Sequence, residues 1–105
     1  MTTTLTPEAG FELLYNIRET IVYLLNSNYT AKKENTNEYA KALYGGQLEF
    51  LTYRILPLYK LKARLTEDYL SVIHNDYEVR IWRKDVSTKK VKGPVNQNYI
   101  EIKGE

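Results

Sequence analysis

At Pro57 the spacing of apolar residues changes, and that change limits what the chain can fold into. Before it, large apolar residues recur at steps of three and four; after it, they alternate with polar ones. The first pattern is one face of a helix and the second is a half-buried strand. A chain ordered this way predicts an α+β fold with the helices first.

Thr6 suits a helix N-cap and Pro7 the first turn, where its missing N–H is no loss. Phe11, Leu14, Ile17, Ile21, Leu24 and Leu25 then form one stripe, widened by Leu13, Tyr15, Val22 and Tyr23. This predicts a flexible segment over 1–6 and a helix over 7–27. "SNYTAKKENTN" is polar and aperiodic and reads as a loop. A second helix is expected over 35–57, where Asn35 and Glu38 have the spacing of a capping box. It carries two apolar faces, Tyr39, Leu43, Phe50 and Tyr53 on one and Tyr44, Leu48, Leu51 and Ile55 on the other. Gly45-Gly46 costs about 1 kcal/mol per residue in a helix, so either the helix breaks there or another backbone comes close. Pro57 ends or kinks it.

An antiparallel sheet of about four strands is expected over 60–103, giving the order α-α-β-β-β-β in one domain spanning 1–105. With turns at Glu67-Asp68 and Asn75-Asp76, Leu65 faces Leu70, Ala63 faces Val72, Val72 faces Val79 and Leu70 faces Ile81. Directly opposed residues share a face, and a slip of one residue would invert it. Both hairpins put their apolar residues on one side, and Ile100 and Ile102 extend it. The two helices are expected to pack there. A competing reading makes 66–74 a helix, because Thr66 followed by Glu67 and Asp68 also resembles a helix start.

The opposite sheet face carries Lys62, Arg64, Tyr69, Ser71, Ile73, Glu78, Arg80 and Trp82, with Tyr99 and Lys103 from the last strand. Net charge is only +2, but Arg80, Arg83, Lys84, Lys89, Lys90 and Lys92 oppose Asp85 alone within 80–92. Rings interleaved with cations suit single-stranded nucleic acid: bases stack at about 1–3 kcal/mol each while cations follow the phosphates. The expected binding residues are Arg64, Tyr69, Arg80, Trp82, Arg83, Tyr99 and, from the basic loop 85–97, Lys89, Lys90 and Lys92. The same residue types also favour a face buried by a protein partner, and a solvated face with shielded rings is the third reading. The surplus apolar helix faces, with Tyr39, Tyr44, Tyr53 and Tyr59, point to a homodimer. A small dimeric inhibitor or adaptor of the sort mobile elements encode fits the sequence equally.

"LKARLTEDYLSVIHNDYEVRIW" resembles the sheet portion of RelE/ParE-type toxins over residues 58–84. That family places two helices before an antiparallel sheet with basic and aromatic residues, and its ribonuclease members act on messenger RNA. This chain lacks the strand that opens that fold, and no catalytic roles carry over. Glu101-Ile102-Lys103 resembles the E-x-K end of PD-(D/E)xK nucleases, without the preceding Pro-Asp. No phosphate loop, nucleophile elbow or zinc-protease motif is present, which favours a protein without catalytic residues, cofactor or metal. There is no Cys, so thiolate ligands and disulfides are excluded. His74, the only His, is expected to be a partly buried structural residue on the apolar sheet face. No apolar run approaches the roughly 20 residues of a membrane span, and "MTTTLTPEAG" lacks the features of a signal peptide. A cytoplasmic protein is expected, with Asn28-Tyr29-Thr30 a chance match to the glycosylation sequon.

Overall fold

The computed structural model describes residues 5–34, 38–84 and 98–102. Three α-helices precede a four-stranded sheet: α1 (Pro7–Asn16), α2 (Arg18–Glu34), α3 (Glu38–Phe50), β1 (Lys62–Leu65), β2 (Tyr69–His74), β3 (Tyr77–Trp82) and β4 (Asn98–Ile102). The α+β arrangement and the helix-then-sheet order agree with the sequence pattern. Three of its details do not.

The first helix is divided. Thr6 caps α1, its Oγ1 accepting a hydrogen bond from the Ala9 N–H at 3.1 Å. At Ile17 the backbone leaves helical geometry (φ −105°, ψ 16°), and the Tyr15 carbonyl accepts from Arg18 Nη1 at 2.6 Å. The helical path then resumes as α2 and runs to Glu34, through residues expected to be a loop. The core-facing positions of that stretch are Asn28 and Ala31, 6% and 8% exposed. Neither is a large apolar residue, so the burying face carried no hydrophobic pattern. Asn35 of the expected capping box lies outside the described residues.

The second correction concerns the far end of α3. The helical path does not break at Gly45-Gly46; a Cβ on Gly45 would sit 3.4 Å from Asn28 Oδ1, so α2 passes close there. Beyond Phe50 it widens into a π turn (Leu51–Ile55) and then tightens into a 3₁₀ turn (Leu56–Tyr59). Pro57 has no N–H to continue an α-helical ladder, and the chain changes hydrogen-bond spacing around it. Lys60 stops it in the left-handed region (φ 64°), with the Leu61 N–H donating back to the Leu56 carbonyl.

The hairpin register is the one the apolar pattern predicts: Leu65 pairs with Leu70, Ala63 with Val72, Leu70 with Ile81 and Val72 with Val79. The stretch expected as either strand or helix is strand from Tyr69. Thr66 Oγ1 accepts from the Asp68 and Tyr69 N–H groups. Those are bonds of the kind that open a helix, used here to close a turn. Asn75 takes φ 53° in the second turn, as Asn tolerates. Leu70, Val72 and Ile81 are fully buried against Leu14, Ile21, Leu25, Leu48 and Leu56.

The third correction is in the sheet itself. Its order is β1-β2-β3-β4, but β4 runs parallel to β3, with Val79 opposite Ile100 and Ile81 opposite Ile102. The sheet is therefore mixed. Parallel neighbours need a crossover connection, not a tight turn. The basic loop 85–97 lies outside the described residues.

Candidate nucleic-acid interface and exposed surfaces

The outer sheet face brings several of the expected binding residues together, but not at the surface. Tyr69 and Trp82 are cross-strand partners with ring centroids 4.6 Å apart. The Arg80 guanidinium lies 4.9 Å from the Tyr69 ring centre. Glu78 Oε2 accepts from Arg80 Nε at 2.5 Å and from Ser71 Oγ at 2.9 Å. Trp82 is 4% exposed, Glu78 4%, Ser71 4% and Arg80 9%. The expectation of an open stacking platform is thus corrected: Trp82 and Arg80 belong to a buried polar and aromatic layer. Alternation assigned these side chains to the correct side of the sheet; it carries no information on whether that side is covered.

The other expected residues are distributed differently. Arg64 is exposed on β1 and Tyr69 is half-buried. Tyr99 occupies the β4 position opposite Glu78. Lys89, Lys90 and Lys92 lie outside the described residues, as does Lys103 of the E-x-K triplet.

Arg83 sits just past β3, where it meets α2. Its Nε donates to Asp68 Oδ1 at 2.9 Å and its Nη1 to the Lys84 carbonyl at 3.1 Å. Its guanidinium stacks 3.6 Å from the Tyr29 ring centre. Asn26 Oδ1 accepts from the Lys84 N–H at 2.6 Å and ties the strand end to α2. Together Asn26, Tyr29, Thr30, Lys33, Arg83 and Lys84 line a cleft of about 420 Å³. Among the described residues three cations line it and no carboxylate does. Of Arg83's five N–H donors, three have no partner among the described residues. Sequence reasoning selected Arg83 but missed Tyr29, Thr30 and Lys33, because their helix was read as a loop.

A second surface lies along α3. Tyr39 is 76% exposed, Leu43 41%, Phe50 58% and Tyr53 54%. These are the residues of one apolar face seen in the sequence; Leu48 of the other face is fully buried. Gly46 lies within the exposed stripe.

His74 is half-buried, its Nε2 3.3 Å from Asn75 Nδ2. Among the described residues no group of three or more His, Asp or Glu converges to hold a metal, and no helix is long and apolar enough to cross a membrane. Comparison with protein-family models, curated proteins and solved structures returned no match, and the RelE/ParE and PD-(D/E)xK resemblances gain no support from it.

Proposed function

We propose that the protein is a small non-catalytic nucleic-acid-binding protein whose contact point is the basic cleft between α2 and the end of β3. The observation that carries this is the convergence of Lys33, Arg83 and Lys84 around Tyr29 in a cleft of about 420 Å³. Arg83 is already held by Asp68 and by the Tyr29 ring. Its ordering cost is therefore met before a phosphate arrives. Lys33 and Lys84 are exposed and supply mobile charge. Single-stranded nucleic acid is the fitting class, since its flexible backbone can enter a short cleft.

The test is fluorescence anisotropy with a short labelled oligothymidine across a salt series. The double change Lys33→Glu and Lys84→Glu should weaken binding at least about tenfold. It should also lower the salt slope by about 1.4, at roughly 0.7 per phosphate contact. Lys62→Glu with Arg64→Glu, at the open end of the sheet, should have a much smaller effect. An equal loss from that pair would return the site to the sheet face, and no binding by the wild type would end the reading.

A second reading, a homodimeric protein-interaction module, is favoured by the exposed Tyr39, Leu43, Phe50 and Tyr53 stripe on α3. Contiguous apolar surface of this kind marks interaction sites on small proteins.

A further inference from the structure

We infer that the α3 face pairs with the same face of a second copy, antiparallel, with Leu43 of each copy seated in a hollow beside Gly46 of the other. This rests on the interaction-module reading above and commits it to one occupant. The hollow has a volume of about 300 Å³ and is lined by Gly46, Glu49, Phe50, Tyr53 and Arg54. Gly46, Glu49 and Phe50 stand at i, i+3 and i+4 on α3, and Tyr53 from the π turn that follows completes a four-residue hollow of the kind that receives a knob from a facing helix. The hollow is open because residue 46 has no side chain: a Cβ there would meet nothing within 4 Å. The same stripe supplies the knob. Leu43 lies one turn before the hollow and is 41% exposed.

Seating Leu43 in the partner's hollow sets the register of the two helices. The symmetry axis then falls beside Gly46, where the small residue permits close approach. Tyr39 of each copy meets Tyr53 of the other. Glu38 of each copy comes opposite Arg54 of the other, so opposite charges meet at both ends. Arg54 has no ion-pair partner among the described residues, and the Glu38 side chain is 88% exposed even while paired with Lys41. A parallel arrangement would instead set Glu38 against Glu38 and Arg54 against Arg54.

The area is of the right order. Aromatic side chains bury about 150–250 Å² each, so the exposed parts of Tyr39, Phe50 and Tyr53 amount to about 400 Å² per copy. A standard interface takes about 800 Å² from each partner. Leu43 and the stems of Glu38, Glu49 and Arg54 lie alongside to add to it.

The experiment is sedimentation equilibrium over a range of concentrations. The wild type should approach twice the chain mass of 12.3 kDa. Gly46→Leu puts a side chain into the hollow from a position where the added Cβ meets nothing within 4 Å, so it should keep the wild-type circular dichroism while raising the dimer Kd by about a hundredfold or more. Glu38→Arg and Arg54→Glu should each raise Kd by roughly tenfold through facing like charges, and the double variant should return to within about threefold of wild type. A wild type that stays monomeric overturns both the pairing and the self-association reading. A dimer indifferent to Gly46→Leu and to the charge exchange overturns this surface alone and assigns self-association to another face.

Discussion

Gly10 and Gly46 both lie in helices, and Gly→Ala should act on them with opposite sign. In a helix interior the change gains about 1 kcal/mol, because Gly loses more backbone entropy on folding. At Gly46 nothing opposes that gain, since an added Cβ meets nothing within 4 Å. At Gly10 the Cβ would lie 2.5 Å from Leu61 Cδ1, 2.8 Å from Tyr59 Cβ and 3.1 Å from Tyr59 Cγ. The Leu61 methyl can rotate away. Tyr59 Cβ cannot, because it is one bond from a backbone fixed by the 3₁₀ turn and its Lys60 stop. Overpacking of this kind costs about 1–3 kcal/mol, so Gly10→Ala should lose about 1 kcal/mol net, leaving the two variants about 2 kcal/mol apart. Urea unfolding with an m-value of about 1–1.5 kcal/mol/M should separate their midpoints by more than 1 M. The measurement belongs at a dilution where the chain is monomeric, so that pairing through α3 does not enter. A midpoint for Gly10→Ala at or above wild type would refute the close packing of α1 on the turn before β1.

Trp82 is the sole Trp and 4% exposed, so its emission should be blue-shifted and resist quenching by iodide; Trp82→Ala should cost about 3–5 kcal/mol, as removal of a buried aromatic does. Glu78→Ala leaves Arg80 and the Ser71 hydroxyl without their shared acceptor and should cost about 3 kcal/mol by chemical denaturation. The Tyr44 phenol is held above its ordinary value of 10.0, first by a hydrogen bond with Tyr23 and then by Tyr23's charge. The stabilisation tied to it is complete below pH 10 and is lost as pH rises through the raised value; an NMR titration of the Tyr44 ring should show Tyr23→Phe lowering its midpoint.

The hairpin register was legible in the sequence because two turns had to satisfy one face. Leu70 and Val72 each pair on both sides, and only one alignment keeps all partners apolar. The direction of β4 was not legible. Ile100 and Ile102 alternate identically whichever way the strand runs, and a polar connection carries no mark of whether it turns or crosses. The extent of α2 was hidden for a different reason. Its buried positions past Leu25 are Asn28 and Ala31, and Asn28 Oδ1 is buried with no hydrogen-bond partner among the described residues. A helix that packs through an amide and a methyl shows no hydrophobic stripe. The exposed face of α3, by contrast, was visible as apolar, though its apolarity alone did not tell core from surface.

The outer sheet face was misjudged by an inference from polarity to exposure. A polar side chain at an alternating position has to find partners if it is covered, and Ser71, Glu78 and Arg80 find them in each other. The pattern of a solvated face and that of a self-satisfied polar layer are therefore the same string of letters. An apolar side chain on a helix is likewise either core or exposed surface, and α3 holds one face of each kind. The decision in both cases comes from topology: how many elements the chain has available to cover each face. The helices cover the inner side of the sheet, and α2 packs on one face of α3. The second α3 face, from Tyr39 to Tyr53, is left exposed, while the nominally polar sheet face is buried at Ser71, Glu78, Arg80 and Trp82 and open at Lys62, Arg64 and Ile73. Among the described residues, the two surfaces on which the proposals rest, the basic cleft beside α2 and the exposed apolar stripe that begins on α3, both involve helices.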